Sequence, residues 1–157
     1  MFVKVIGAFF MVICLAVSME IPKKFLLYSG FVGGFGWGVY LFSEQHLGAA
    51  VAATFISAMA ITILSQIGAR ILKAPVTVFL IAGILPLVPG TGMYRTVYYT
   101  IHNQGVLANY YLRQTLMIAG AIALAIFIID SVYRVITGQG RHLKEVLIVT
   151  VNKNEKK

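Results

Sequence analysis

Leu85-Pro86-Leu87-Val88-Pro89-Gly90-Thr91-Gly92-Met93-Tyr94-Arg95 interrupts a chain that is otherwise a succession of long apolar blocks. Pro86 and Pro89 have no amide hydrogen, and each ring clashes with the turn before it, so no continuous helix is expected through them. Gly90 and Gly92 allow backbone angles closed to other residues. What such a break means depends on its flanks. The 157 residues are 59% hydrophobic and 11% charged, against about 45–50% apolar and about 25% charged in soluble domains. Too few polar residues remain to cover a water-facing surface. The reading is therefore all-α: a polytopic membrane helix bundle of about five transmembrane helices, with a fourth helix broken by Pro and Gly. In lipid, irregular backbone is tolerated only where protein or a water-filled cavity satisfies it.

Working outward from the break, a crossing helix needs ~20 mostly apolar residues. The first candidate is 2–19, with Lys4 snorkelling toward headgroups. The second is 25–42, closed by Ser43-Glu44-Gln45-His46, and the third is 47–69. The apolar block 76–88 is too short to cross alone; it resumes after the break as a tyrosine-rich stretch, 93–112. A fifth span starts near Thr115 and runs to about Asp130. Lys4 followed by apolar residues 5–19, with Ala16-Val17-Ser18, resembles a signal peptide. Because the rest of the chain is itself membrane-spanning, an uncleaved first helix is expected. Cys14, the only cysteine, lies in that run and cannot form an intrachain disulfide.

The net charge of +8 is placed for a bilayer and not for nucleic acid, because the basic residues sit at block edges and in the C-terminal stretch. With five spans and the N-terminus outside, Lys23, Lys24, Arg70, Lys73, Arg134, Arg141, Lys144, Lys153, Lys156 and Lys157 all fall on the cytoplasmic side. Only Lys4, Arg95 and Arg113 do not. This asymmetry predicts a periplasmic N-terminus and a cytoplasmic C-terminus. Residues 1–140 form the transmembrane domain in this reading, and 141–157 a basic cytoplasmic tail suited to anionic lipid.

Gly30, Gly34 and Gly38 are spaced four apart, so they share one helix face and make a groove that another backbone can approach closely. Ala49, Ala53 and Ser57 repeat the spacing in the third span. No enzyme constellation is visible: His46, His102 and His142 are scattered without metal-ligand spacing, and Gly33-Gly34-Phe35-Gly36 lacks the lysine of a phosphate loop. No metal or cofactor is expected.

Polar chemistry concentrates at two places. At the break, Thr91 is placed to cap the following helix, whose free amides and positive dipole end, with Arg95 one turn on, would seat a carboxylate. The alternative is a re-entrant turn at the outer surface with Arg95 on lipid phosphate. Asp130, an acid inside a span, is a candidate for proton coupling; alternatively it pairs with Arg134 four residues later. His102, Gln104 and Tyr94, Tyr98, Tyr99, Tyr110 and Tyr111 could line a polar path or form an interfacial aromatic belt.

On the run from Leu85 to Arg95, the chain resembles the threonine/serine exporter family in its short, split-subunit form. The likeness extends over essentially the whole chain through its span number, length and basic C-terminal end. It implies a secondary carrier of the bacterial inner membrane, driven by the proton gradient, that exports threonine, serine or related carboxylate-bearing solutes such as succinate. It also implies a larger membrane subunit as partner, and it points to Pro89, Gly90, Thr91, Gly92 and Arg95 as substrate-site positions. Asp130 matches no motif of the family.

Overall fold

In hydrocarbon every backbone amide and carbonyl must find a partner within the chain, and the apolar blocks answer with helices. The computed structural model describes residues 2–137. Its helices are α1 (Phe2–Ser18), α2 (Lys23–Leu47), α3 (Ala50–Ile71), α4 (Val76–Ile84), α5 (Gly90–Ile101) and α6 (Gly105–Ile136), with a short 3-10 turn (Leu85–Leu87) after α4. Among the described residues there is no strand. The chain turns sharply between helices, using Glu20, Lys73 and Asn103 with positive φ and Gly48 at φ 60°; left-handed residues of this kind end helices by satisfying their last carbonyls.

α2, α3 and α6 are each long and apolar enough to cross a membrane. α4 with its 3-10 turn meets α5 at a bend of 50°, a broken span or a re-entrant loop. α1, with 17 residues, reaches only about 25 Å, just short of a hydrocarbon core of ~30 Å. The expected five crossings thus depend on α1 and on the bent pair.

Three boundaries differ from the sequence expectation. Residues 43–46 do not close the second helix; they are its last turns, and Gly48 ends it with its amide on the Glu44 carbonyl at 3.0 Å. The stretch 93–112 is not one segment. α5 stops at Ile101, the Gln104 amide closes back on the Tyr99 carbonyl at 2.9 Å, and Gly105 opens the next helix. The fifth span therefore begins ten residues earlier than Thr115, and α6, at 32 residues, is about 48 Å long. Its first third is the second arm of a hairpin with α5. No residue of α5 is buried.

The glycine-bearing face of α2 receives α1. A Cβ at Gly30 would lie 2.7 Å from Ile13 Cγ1, and one at Gly34 3.2 Å from Phe9 Cβ, while at Gly38 it would stand 3.6 Å from Val5 in ordinary contact. The tightest seats are neighbours of that row: Gly33 against Val12, and Gly36, on the other flank, against Ile61 of α3. Ser57 fastens this flank, its hydroxyl donating to the Gly36 carbonyl at 2.6 Å. Ala53, as expected, is buried, whereas Ala49 lies outside α3 and is exposed. At the bundle centre, Val32, Ala58, Ile61, Leu87, Ile122 and Ala125 form one buried apolar cluster drawn from α2, α3, the 3-10 turn and α6.

Candidate functional site

The break is built from backbone that cannot close its own hydrogen bonds. Pro86 and Pro89 donate nothing, so the turn is held by Val88 N–H to the Leu85 carbonyl at 3.2 Å and Gly90 N–H to the Val88 carbonyl at 2.8 Å. α5 then starts at Gly90 with Pro89 as its N-cap, and no side chain caps it. The expected capping role of Thr91 is not realised: Thr91 sits inside the first turn, because Pro89, with its fixed φ, already sets the helix entry. The start of α5 lies hard against α6. A Cβ at Gly92 would collide with the Thr115 hydroxyl, so this position requires glycine for close approach.

Four of the five break positions expected to bind solute, Pro89, Thr91, Gly92 and Arg95, line one cavity of about 240 Å³ together with Tyr111, Gln114, Thr115 and Ile118. Arg95 is exposed at its rim. It donates from Nη1 to the Tyr111 hydroxyl at 3.1 Å and lies 5.2 Å from the centre of that ring, which holds the guanidinium over α6. The fifth position, Gly90, lines an adjoining cavity of about 260 Å³ with Pro86, Thr91, Trp37, Tyr40, Thr54 and Ile118. A third, of about 460 Å³, shares Trp37, Tyr40 and Pro86 with it and brings in Lys4 and Glu44. Glu44, expected in the run that closes the second span, is a helical side chain that accepts from the Tyr40 hydroxyl at 3.1 Å. The three cavities share walls around the break, at the end of the bundle that holds the start of α1 and the end of α2.

The tyrosines do two jobs. Tyr99 and Tyr111 stack with ring centres 5.5 Å apart, tying α5 to α6 beside Arg95. Tyr94, Tyr98 and Tyr110 are exposed on the hairpin surface, where His102 stacks on Tyr98 at 4.1 Å. Of the five, only Tyr111 reaches the Arg95 cavity. Gln104, in the turn after α5, is exposed and lines none of these cavities.

Asp130 lies at the opposite, basic end, far from Arg95 along α6. Its carboxylate accepts from Arg134 Nε at 2.8 Å and from Gln66 Nε2 of α3 at 3.1 Å. The expected pairing with Arg134 is present, and Gln66 is a partner the sequence did not suggest. These three side chains, with Thr62, Thr77 and Tyr133, line a separate cavity of about 430 Å³. Arg70 covers the Tyr133 ring at 4.6 Å. Lys23 and Lys24 at the start of α2 belong to this same end, since Phe25, Ala69 and Phe79 pack together there. Among the described residues no group of three His, Cys, Asp or Glu side chains could hold a metal ion. The basic tail, with Arg141, Lys144, Lys153, Lys156 and Lys157, lies outside the described residues.

Long apolar helices and a broken helix define a multi-pass helical membrane protein. The chain belongs to the threonine/serine exporter (ThrE) family, whose sequence model matches residues 4–132. The match spans every helix except the last turn of α6 and the first residues of α1. Members of this family are transporters and not enzymes. Comparison with curated proteins and with solved structures found no match.

Proposed function

We propose that this chain is the small subunit of a two-component, proton-coupled exporter of small carboxylate-bearing solutes in the bacterial inner membrane. The carrying observation is the Arg95 cavity. The two readings of the break differ in whether its polar groups face a cavity or only lipid and headgroups, and four break residues line one cavity. At about 240 Å³ it is smaller than the ~300–1,000 Å³ of drug-sized sites, as a solute of a few heavy atoms requires. Arg95 supplies charge, and the α5 amides at Thr91 and Gly92, which have no acceptor within the helix, supply donors. Thr115 and Gln114 offer neutral partners for the rest of the solute.

The described basic residues support the orientation. Lys23, Lys24, Arg70, Lys73 and Arg134 gather at one end, so the break end faces the periplasm and the N-terminus lies outside. A larger membrane subunit completes the path. α5 buries no residue within this chain, which leaves its outer face to a partner. The glycine row does not serve that partner, because α1 occupies it. Asp130 carries the proton in this reading, its carboxylate partnered by Gln66 and Arg134. A non-transporting accessory subunit is the rival, and the cavity is the observation against it.

The test follows threonine, serine and succinate in the medium of cells lacking this chain, its large partner, or both, and of cells carrying Arg95→Ala or Gly90→Leu. Loss of export in each single deletion and in Arg95→Ala, at normal membrane abundance, is expected. Export unchanged by both substitutions would refute the site. Export persisting without the chain would reduce it to an accessory.

A further inference from the structure

Three elements meet the cavities in the same order. On α3, Thr54 lines one of the break-end cavities, Ala58 and Ile61 belong to the central apolar cluster, and Thr62 and Gln66 line the basic-end cavity. On α6 the sequence is Thr115 and Ile118, then Ile122 and Ala125, then Ile126 and Asp130. On the broken helix it is the break residues, of which Leu87 both lines the break-end cavity and belongs to the central cluster, then Leu80 and Thr77. Thr54, Ala58, Thr62 and Gln66 are four apart, so they form a single row on α3. From Thr54 to Thr62 is about 12 Å along the axis. Two cavities thus lie on one row, about that distance apart, with apolar side chains between them.

The geometry points to a single solute path between α3, the broken helix and α6, with a second binding station at Thr62, Gln66 and Asp130. It is closed at mid-height by an apolar gate in which Leu87 is the moving part. This rests on the transport reading above and extends it to a site at the other end. The second station suits a solute with an ammonium or hydroxyl group. Asp130 accepts from the former, while Thr62, whose hydroxyl bonds its own helix at the Ala58 carbonyl at 2.7 Å, retains accepting capacity for the latter. The gate follows from packing. Ala58 and Ala125 are fully buried and leave no side-chain bulk of their own, so the seal depends on the larger Val32, Ile61, Leu87 and Ile122. Val32, Ile61 and Ile122 are fixed in the middle of continuous helices. Leu87 stands between two prolines, neither of which donates a backbone hydrogen bond, where local opening costs little. The residue after it, Val88, is already exposed.

Cysteine scanning tests this in the intact complex. Cys14 is the only cysteine and is exposed on α1, so Cys14→Ser gives a background in which Thr54, Ala58, Thr62 and Gln66 are replaced singly by cysteine. A charged, membrane-impermeant thiol reagent is applied to right-side-out and inside-out vesicles, with and without threonine and a proton gradient. At rest, T54C reacts only from the break end, T62C and Q66C only from the basic end, and A58C from neither. During export, A58C labelling rises about tenfold or more, as a minor open state becomes populated. Adding Leu87→Ala lets the break-end reagent reach T62C without solute. Reaction of T62C from the break end at rest would abolish the gate, and failure of the charged reagent to reach T62C or Q66C at all would abolish the second station. If the labelling pattern holds while Arg95→Ala exports normally, the path stands and the Arg95 seat falls. If Arg95→Ala abolishes export without the pattern, the seat stands and the path falls.

Discussion

Gly33→Ala should loosen the bundle where Gly38→Ala tightens it, and the difference between them isolates one physical term. Both glycines lie in α2 on the side facing α1, and both gain roughly 1 kcal/mol of helix propensity on becoming alanine, so that gain cancels in the comparison. At Gly38 the new Cβ stands 3.6 Å from Val5, which is ordinary contact. At Gly33 it meets Val12 Cβ and Cγ1, both at 3.0 Å, with Cγ2 closer still. Val12 cannot step aside, because it is fully buried and a β-branched side chain has little freedom at χ1. Overpacking of this kind costs about 1–3 kcal/mol, which is the expected stability gap between the two variants. For a chain of this size that corresponds to ~2–12 °C in Tm, measured by thermal unfolding in detergent. Val12→Ala should restore Gly33→Ala, with a favourable coupling of about 0.5–3 kcal/mol in a double-mutant cycle. Equal stabilities of Gly33→Ala and Gly38→Ala, or zero coupling with Val12→Ala, would mean that α1 is not seated on α2. The reading of α1 as a crossing would then lose its support.

Three further outcomes follow from named contacts. Ser57→Ala removes a hydroxyl that bonds the Gly36 carbonyl at 2.6 Å, and interhelical bonds in membranes average about 0.6 kcal/mol; its Tm should therefore fall less than that of Gly33→Ala. Arg95→Lys keeps the charge but loses the planar fork and its place over the Tyr111 ring, so export should show a raised KM with kcat largely retained, and Tyr111→Phe should do the same more weakly. Asp130→Asn separates its two roles. If the carboxylate couples protons, export should lose its dependence on an imposed pH gradient, whereas a surface ion pair alone would cost under ~1 kcal/mol and leave that dependence intact.

The apolar blocks made the helices of the membrane bundle legible, and the two prolines located the break to the residue. What escaped the sequence had specific causes. The α5–α6 turn was marked by His102-Asn103-Gln104-Gly105, a cluster of turn residues, but the tyrosines on both sides read as one polar-aromatic stretch. The beginning of α6 was misplaced because hydropathy reports where a helix enters hydrocarbon, not where it starts. Among the glycines of α2 the four-residue spacing identified the face correctly, yet the tightest contacts are at Gly33 and Gly36, since closeness depends on the partner's side chain and not on the row. Thr91 looked like a cap by type, but Pro89 took that position. Gln66 and Thr62 were passed over entirely; the visible signal was their row with Thr54, polar residues four apart inside an apolar span.

That row also explains why the central helix of the bundle carries so many hydroxyls without a penalty. Thr54, Thr62 and Ser65 each donate to the carbonyl four residues back, at 2.8, 2.7 and 2.8 Å, so none is an unsatisfied donor in the protein interior, and no buried side-chain polar atom among the described residues lacks a partner. A helix needing only to pack could use alanine at those sites, with better propensity and no risk of an orphaned hydroxyl. Hydroxyls turned back on their own helix present an acceptor to the space beside it while keeping their proton occupied. At Thr54 and Thr62 that space is a cavity. At Ala58, between them, it is the apolar cluster. The alternation matches a path that is polar at its two stations and dry at its gate, and it places the cost of opening on Leu87 in the broken helix.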